Sequence, residues 1–177
     1  FLRIGERYEG EKAKLNNVTI SNVYAEVPAG KPDAGYEYEG PVEDLPRNIS
    51  PASITGLPGQ YVTNVTLKNI TIVYPGGGNP NYAKVGTDAK SLNAIPEMPK
   101  AYPEFSQFKE LPAWGFYIRH AKGITFDNVT LTAEKPDYRP AIVLDDVHGG
   151  DLENVTINDP GKKKNEIVVF QSTDIKK

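Results

Sequence analysis

One four-residue pattern recurs five times along the chain: Asn17-Val18-Thr19-Ile20, Asn64-Val65-Thr66-Leu67, Asn69-Ile70-Thr71-Ile72, Asn128-Val129-Thr130-Leu131 and Asn154-Val155-Thr156-Ile157. Each copy alternates polar and apolar residues with a period of two, the signature of a half-buried strand. A second short apolar run lies upstream of four copies, at Phe1 to Ile4, Ala52 to Ile54, Phe116 to Ile118 and Ala141 to Leu144. The distance between paired runs is nearly constant: 11 positions from Ile54 to Val65, 11 from Ile118 to Val129 and 12 from Val143 to Val155. Between successive pairs, Val129 to Val155 spans 26 positions and Ile142 to Ile167 spans 25, so Ile167 to Phe170 opens one more unit.

Short strands that return at a fixed interval fit a parallel β-solenoid, in which each coil hydrogen-bonds only to its neighbours. An antiparallel sandwich would place turns every ~8–12 residues without strict recurrence. The repeated Asn suits the solenoid, because Asn tolerates left-handed backbone at a bend. Stacked copies can also hydrogen-bond from coil to coil while Val and Ile fill the interior. Asn17, Asn48, Asn64, Asn69, Asn128 and Asn154 also read as Asn-x-Ser/Thr glycosylation sequons. Four of them recur at one place in the coil, which a structural ladder predicts and a modification signal does not.

Two stretches break the period, at about residues 24–51 and 73–115, and are expected to be loop insertions between about four to five coils of a single domain over residues 1–177. They hold most of the Pro and Gly and the aromatic residues Tyr24, Tyr36, Tyr38, Tyr74, Tyr82, Tyr102, Phe105, Phe108 and Trp114. Long insertions in a compact fold bind or cap something. Their rings therefore either pack onto the sheet or offer a sugar-stacking surface. Short helices are expected at Asp88 to Ala94 and after Pro103.

Chemistry-bearing motifs are few. The chain has no Cys, which removes disulfides, thiolate metal sites and cysteine nucleophiles, and its net charge of -3 gives no field for nucleic acid. Lys162, Lys163 and Lys164 read as a solvated turn, and no apolar run approaches the roughly 20 residues of a membrane span. Gly76 to Gly78 lacks the context of a phosphate loop, and His120 and His148 read as surface or packed residues with no metal signature. No cofactor and no metal are expected. The paired carboxylates Asp145 and Asp146 are the low-ranking catalytic candidates. On a strand their side chains point to opposite faces unless they sit at a bend, so capping a bend is the simpler role. Arg139 is placed to pair with Asp137 or Asp145.

The strings "LNNVTISNVYAEVP", "LPAWGFYIRHAKGITFDNVTL" and "YRPAIVLDDV", over essentially the whole chain, resemble the C-terminal part of family 28 glycoside hydrolases, the polygalacturonase family, in its Bacteroidetes form. The resemblance implies an all-β, right-handed parallel β-helix and inverting hydrolysis of pectic polysaccharide. It also implies, in chain order, an Asn-Thr-Asp strand, an Asp-Asp strand, a Gly-His-Gly strand and an Arg-Ile-Lys strand that grips a substrate carboxylate. Arg3-Ile4-Gly5 looks like the last of these with Gly in place of Lys, and Arg7 or Lys12 could stand in for the missing cation. Asp145-Asp146 and His148-Gly149 imitate the earlier motifs but lie after Arg3, so the resemblance does not carry catalysis onto them.

Phe1 to Ile4 reads as a strand already under way, so the chain is expected to be the C-terminal part of a longer β-helix, without its catalytic carboxylates. Arg3, Glu6, Arg7, Trp114, Tyr117 and Arg119 are then the expected substrate-binding edge, and a pectic polysaccharide or oligosaccharide the expected partner, with no nucleic acid and no membrane span. Self-association through the N-terminal end of the solenoid is expected if that end is uncovered. The family's secreted members imply a periplasmic or extracellular location. The competing expectations are a non-catalytic β-helical carbohydrate-binding or structural module, and a stand-alone hydrolase using Glu6, Asp145 or Asp146.

Overall fold

The computed structural model describes residues 2–7, 9–29, 50–78, 80, 85–101, 111–161 and 166–177. Phe1, the Asn48 sequon, Tyr36, Tyr38, Tyr82, Tyr102, Phe105, Phe108, the helix expected after Pro103 and the Lys162 to Lys164 run lie outside these residues. The described residues form eight strands and one short helix: β1 (Leu2–Arg3), β2 (Asn16–Glu26), β3 (Ala52–Thr55), β4 (Val62–Gly76), α1 (Ala89–Asn93), β5 (Phe116–Lys135), β6 (Ile142–Asn158), β7 (Ile167–Phe170) and β8 (Thr173–Lys176). The fold is all-β, and every pairing between named strands is parallel. Among the described residues no helix is long and apolar enough to cross a membrane.

The pairings form two stacks joined through β5 and β6. In the first, Leu2, Ile54, Ile118, Leu144 and Val169 are successive register partners across β1, β3, β5, β6 and β7. In the second, Val18, Val65, Ile124, Gly150 and Ile175 align across β2, β4, β5, β6 and β8. The 25- and 26-residue intervals of the sequence are thus the steps from one strand to the next. Inward columns of both stacks fill one buried cluster, with Ile54, Val65, Leu67, Phe116, Ile118, Leu131 and Leu144 fully enclosed. Burying an aliphatic side chain of this size contributes about 1.5–3 kcal/mol.

The long strands turn corners inside their own ladders, and the corners are left-handed residues. Asn17 and Asn64 have φ of 59° and 54°, and Gly123, Gly149 and Asp174 continue that corner at 67°, 76° and 57°. A second corner is built by Asn22, Asn69 and Asn128, at 59°, 52° and 58°. The single Asn ladder expected from the repeat is therefore two. Asn64 Nδ2 donates to Asn17 Oδ1 at 3.0 Å in the first. In the second, Asn69 Nδ2 donates to Asn22 Oδ1 at 3.1 Å and Asn128 Nδ2 to Asn69 Oδ1 at 2.9 Å. An amide is donor and acceptor at once, so identical residues can pair along a column without limit.

Both insertions begin later than the sequence spacing implies. Tyr24, Ala25 and Glu26 stay paired with Thr71, Ile72 and Val73, and β4 runs to Gly76, because the period-two pattern continues through these residues. The helix expected at Asp88 to Ala94 is α1, whose N-cap Asp88 accepts from Ser91 N. At the end of the second insertion, Trp114 N and Gly115 N donate to Pro140 O and Ala141 O. Arg139 pairs with Asp137 rather than Asp145: Nε and Nη2 reach the two carboxylate oxygens at 2.9 and 2.8 Å, and the backbone N–H groups of Arg139 and Gly78 add two more donors. Burial alone would raise the Asp137 pKa, but these partners hold it below the ordinary value.

Asn69 sits between two ladder neighbours, and its replacement separates backbone from side-chain effects. Asn69→Ala loses both amide bonds and leaves an Ala in left-handed backbone, an expected loss of about 2–3 kcal/mol in denaturant unfolding. Asn69→Gly keeps the backbone conformation accessible and is expected to cost about 1 kcal/mol less.

Candidate functional site

A third corner, where β5 and β6 leave the first stack for the second, gathers most of the described buried charge. It is formed by His120 at φ 51° and Asp146 at φ 57°, and Gln171 at φ 48° continues it on the next level. Strict alternation would send Arg119 and His120, or Asp145 and Asp146, to opposite faces. The left-handed residue interrupts that alternation, so Arg119 Nη2 and His120 Nε2 both reach Glu97 Oε1, at 3.0 and 3.1 Å.

Asp145 and Asp146 meet different surroundings. Asp145 is 2% exposed; Tyr117 OH donates to its Oδ2 at 3.2 Å, and Arg119 Nε lies 3.2 Å from the same oxygen. Burial dominates and pushes its pKa up, against the opposing pull of Arg119 and the Tyr117 bond. Asp146 has three donors: His120 Nδ1 at 2.6 Å, His148 Nε2 at 2.8 Å and Tyr61 OH at 3.4 Å. Its partial burial favours the neutral acid, but those bonds outweigh it and hold the pKa down. Burial likewise disfavours a charged His120, yet hydrogen bonds to Glu97 and Asp146 win and raise its pKa.

The result is a continuous hydrogen-bonded chain from Glu97 through His120, Asp146 and His148 to Thr173 Oγ1, which lies 3.1 Å from His148 Nδ1. Tyr61 stands edge-on to His148, with ring centres 5.7 Å apart, and Lys122 Nζ lies 4.0 Å from the Tyr61 ring centre. Among the described residues no group of three or more His, Asp or Glu is placed to hold a metal ion.

The irregular segment 95–101 straps across this corner. Arg3 shares an outward column with Thr55, Arg119 and Asp145. Its guanidinium binds the strap's backbone, donating to Ala101 O at 3.3 Å, Glu97 O at 3.1 Å and Met98 O. Arg119 Nη1 donates to Ile95 O at 2.8 Å, and Glu6 N to Pro99 O at 2.7 Å. Beneath the strap lies a narrow crevice lined by Thr55, Gly56, Glu97, Tyr117 and Arg119.

Of the expected substrate-binding residues, Arg3, Tyr117 and Arg119 come together here, with Glu6 alongside through its bond to Gln60. Arg7 is exposed. Trp114 is 1% exposed and packs edge-on against Tyr74 in the main core, so its ring is not on a sugar-stacking surface. Tyr117 is also buried, in an outer cluster with Leu92, Leu111, Ala113 and Val143. Sequence reasoning missed Glu97, His120 and Tyr61 as members of one site. One signal was available: the 26-residue interval places Arg119-His120 directly over Asp145-Asp146.

Comparison with family models, curated proteins and solved structures returned no match. The family resemblance therefore rests on the repeat and the strings quoted above.

The sign of the His120 shift fixes a stability window. A histidine whose pKa is raised on folding stabilises fully below its unfolded value near 6.5 and loses that contribution as pH rises through the folded value. Asp146, lowered on folding, contributes above its ordinary value near 3.8 and loses the contribution as pH falls through the lowered one. The pair is therefore strongest between those two ordinary values. His120→Asn keeps a residue suited to left-handed backbone and removes the charge. Its thermal midpoint is expected to fall less than that of the unaltered protein between about pH 6 and about pH 8.5. Equal falls would show that His120 does not carry the dependence.

Proposed function

We propose that the chain is a right-handed parallel β-helical segment of a pectin-type glycoside hydrolase, supplying scaffold and one edge of a polysaccharide cleft. The catalytic carboxylates of such an enzyme are then supplied by other coils. The observation that carries the reading is the outward column Arg3, Thr55, Arg119, Asp145, held in register on successive parallel strands beside carboxylates already engaged by protein donors. Inverting hydrolysis needs a protonated acid at the leaving oxygen and a carboxylate that activates water, about 6.5–9.5 Å apart across an open sugar site. Asp145 is enclosed and Asp146 is committed to three donors, so neither is free for these roles.

The chain alone is expected to release no reducing ends from polygalacturonate or rhamnogalacturonan, and a polypeptide that also carries the family's three earlier motifs is expected to do so. Turnover by the chain alone, abolished in Asp146→Asn, would sink this reading and make the Asp145-Asp146 pair catalytic.

A non-catalytic carbohydrate-binding module is favoured by a different observation. An open groove of about 430 Å³ crosses the second stack, lined by Asn64, Thr66, Gly123, Thr125, Gly149 and Asp151, with Asp174 and Lys176 at its end. The Thr66 and Thr125 hydroxyls and the Asn64 amide beside the first corner, with Asp151, Asp174 and Lys176, are groups that hydrogen-bond sugar hydroxyls. On this reading Thr125→Tyr, which fills the groove, removes oligosaccharide binding measured by calorimetry, whereas a ligand held at the Arg3 column is unaffected.

A further inference from the structure

Glu97 occupies a position that the sheet has prepared for a carboxylate. Arg119 and His120 are neighbours on β5, and both direct a nitrogen at one oxygen, Glu97 Oε1. Each is fixed from behind. Arg119 is anchored by Asp145 at 3.2 Å and by Ile95 O at 2.8 Å. His120 is anchored by Asp146 at 2.6 Å, which is itself held by His148 and Tyr61. The cationic cradle is therefore preorganised by groups other than its occupant, the arrangement that lowers the cost of binding an ion.

The occupant is held differently. Glu97 comes from the irregular strap, its side chain is 27% exposed, and the next residue, Met98, has a left-handed φ of 45°. The strap's backbone is secured independently of that carboxylate, by Arg3 on three carbonyls and by Glu6 N on Pro99 O. The Glu97 side chain can thus leave the cradle without releasing the strap. Charge favours exchange over addition. Arg119 and a protonated His120 already face Asp145, Asp146 and Glu97, and a second carboxylate beside Glu97 would add repulsion, whereas one that replaces Glu97 leaves the local charge unchanged.

We propose that Arg119 and His120 form a carboxylate-binding site, filled in cis by Glu97, which takes carboxylate-bearing ligands by exchange with that side chain. The choice of a uronate sugar as the natural ligand rests on the pectic reading above; the cradle does not. A tethered carboxylate competes at a millimolar or higher effective concentration, so removing it raises apparent affinity for a free one.

The test is an NMR titration of the His120 imidazole with acetate, galacturonate and galactose in three proteins: unaltered, Glu97→Ala and Glu97→Gln. Glu97→Ala is expected to bind acetate and galacturonate at least about tenfold more tightly than the unaltered protein, with galactose inert. Glu97→Gln, which keeps an uncharged acceptor in place and guards against misfolding of the alanine variant, is expected to fall between. Arg119→Lys in the Glu97→Ala background should lose most of the gain, because a point charge replaces the planar fork. No gain for either acid in folded Glu97→Ala or Glu97→Gln overturns the proposal, as does equal binding of galactose. A gain for acetate without one for galacturonate supports the cradle and counts against the pectic reading, so the two fail separately.

Discussion

Parallel pairing of one strand directly over its counterpart is the constraint on which the rest of the structure depends, because it stacks each residue on the equivalent residue of the next strand. Apolar columns such as Leu2, Ile54, Ile118, Leu144 and Val169 satisfy it without conflict. Asn columns satisfy it through their self-complementary amides. A column of one charge cannot, since like charges on adjacent strands repel. The outward column shows how this is avoided: Thr55 separates Arg3 from Arg119, and Asp145 follows Arg119 as a counter-charge.

The third corner departs from this rule of likeness. Where the other corners are built mainly of Asn and Gly, it places His120 beside Asp146, and the side chains are joined by hydrogen bonds of 2.6 and 2.8 Å that run on to His148. Consistent local choices specify a fold, and a column that breaks the pattern while burying charge is expected to mark a strained or functional position. The Asp137–Arg139 pair is a useful contrast. Its fully buried carboxylate is saturated by Arg139 and Gly78, and Arg139 also reaches Leu111 O, so that pair ties three chain segments together. The Arg119 cluster has a solvent-facing member, Glu97.

Much of the stacking is legible in the residues. Val129 over Val155 and Ile142 over Ile167 follow from the intervals alone, and Asp88 announces α1 as an N-cap. The second Asn corner is hidden because Asn22-Val23-Tyr24 lacks the Thr of the pattern, although the backbone treats Asn22 as it treats Asn69. Gly123 and Gly149 conceal the continuation of the first corner, since Gly serves the same left-handed role without resembling Asn. Trp114 lies in a Pro- and Gly-rich stretch that reads as surface, and its burial depends on Tyr74 and on the Pro140 carbonyl, contacts made only once the strands stack. The meeting of Glu97 with His120 depends on the path of an irregular strap, for which periodicity carries no information.

The corner divides between two neighbouring residues properties that acid catalysis needs in one. A general acid must keep its proton near working pH and still present it to a leaving group. Asp145 has the raised proton affinity but is enclosed, with Tyr117 and Arg119 on its Oδ2. Asp146 lies nearer solvent, but two histidines and a tyrosine stabilise its anion and push its pKa the other way. Opening Asp145 to solvent would remove the desolvation that raises its pKa, and withdrawing the donors from Asp146 would dismantle the corner that fixes His120. As built, the network holds charge in place: its carboxylates position two cations, and those cations are aimed outward at a third carboxylate that the strap supplies.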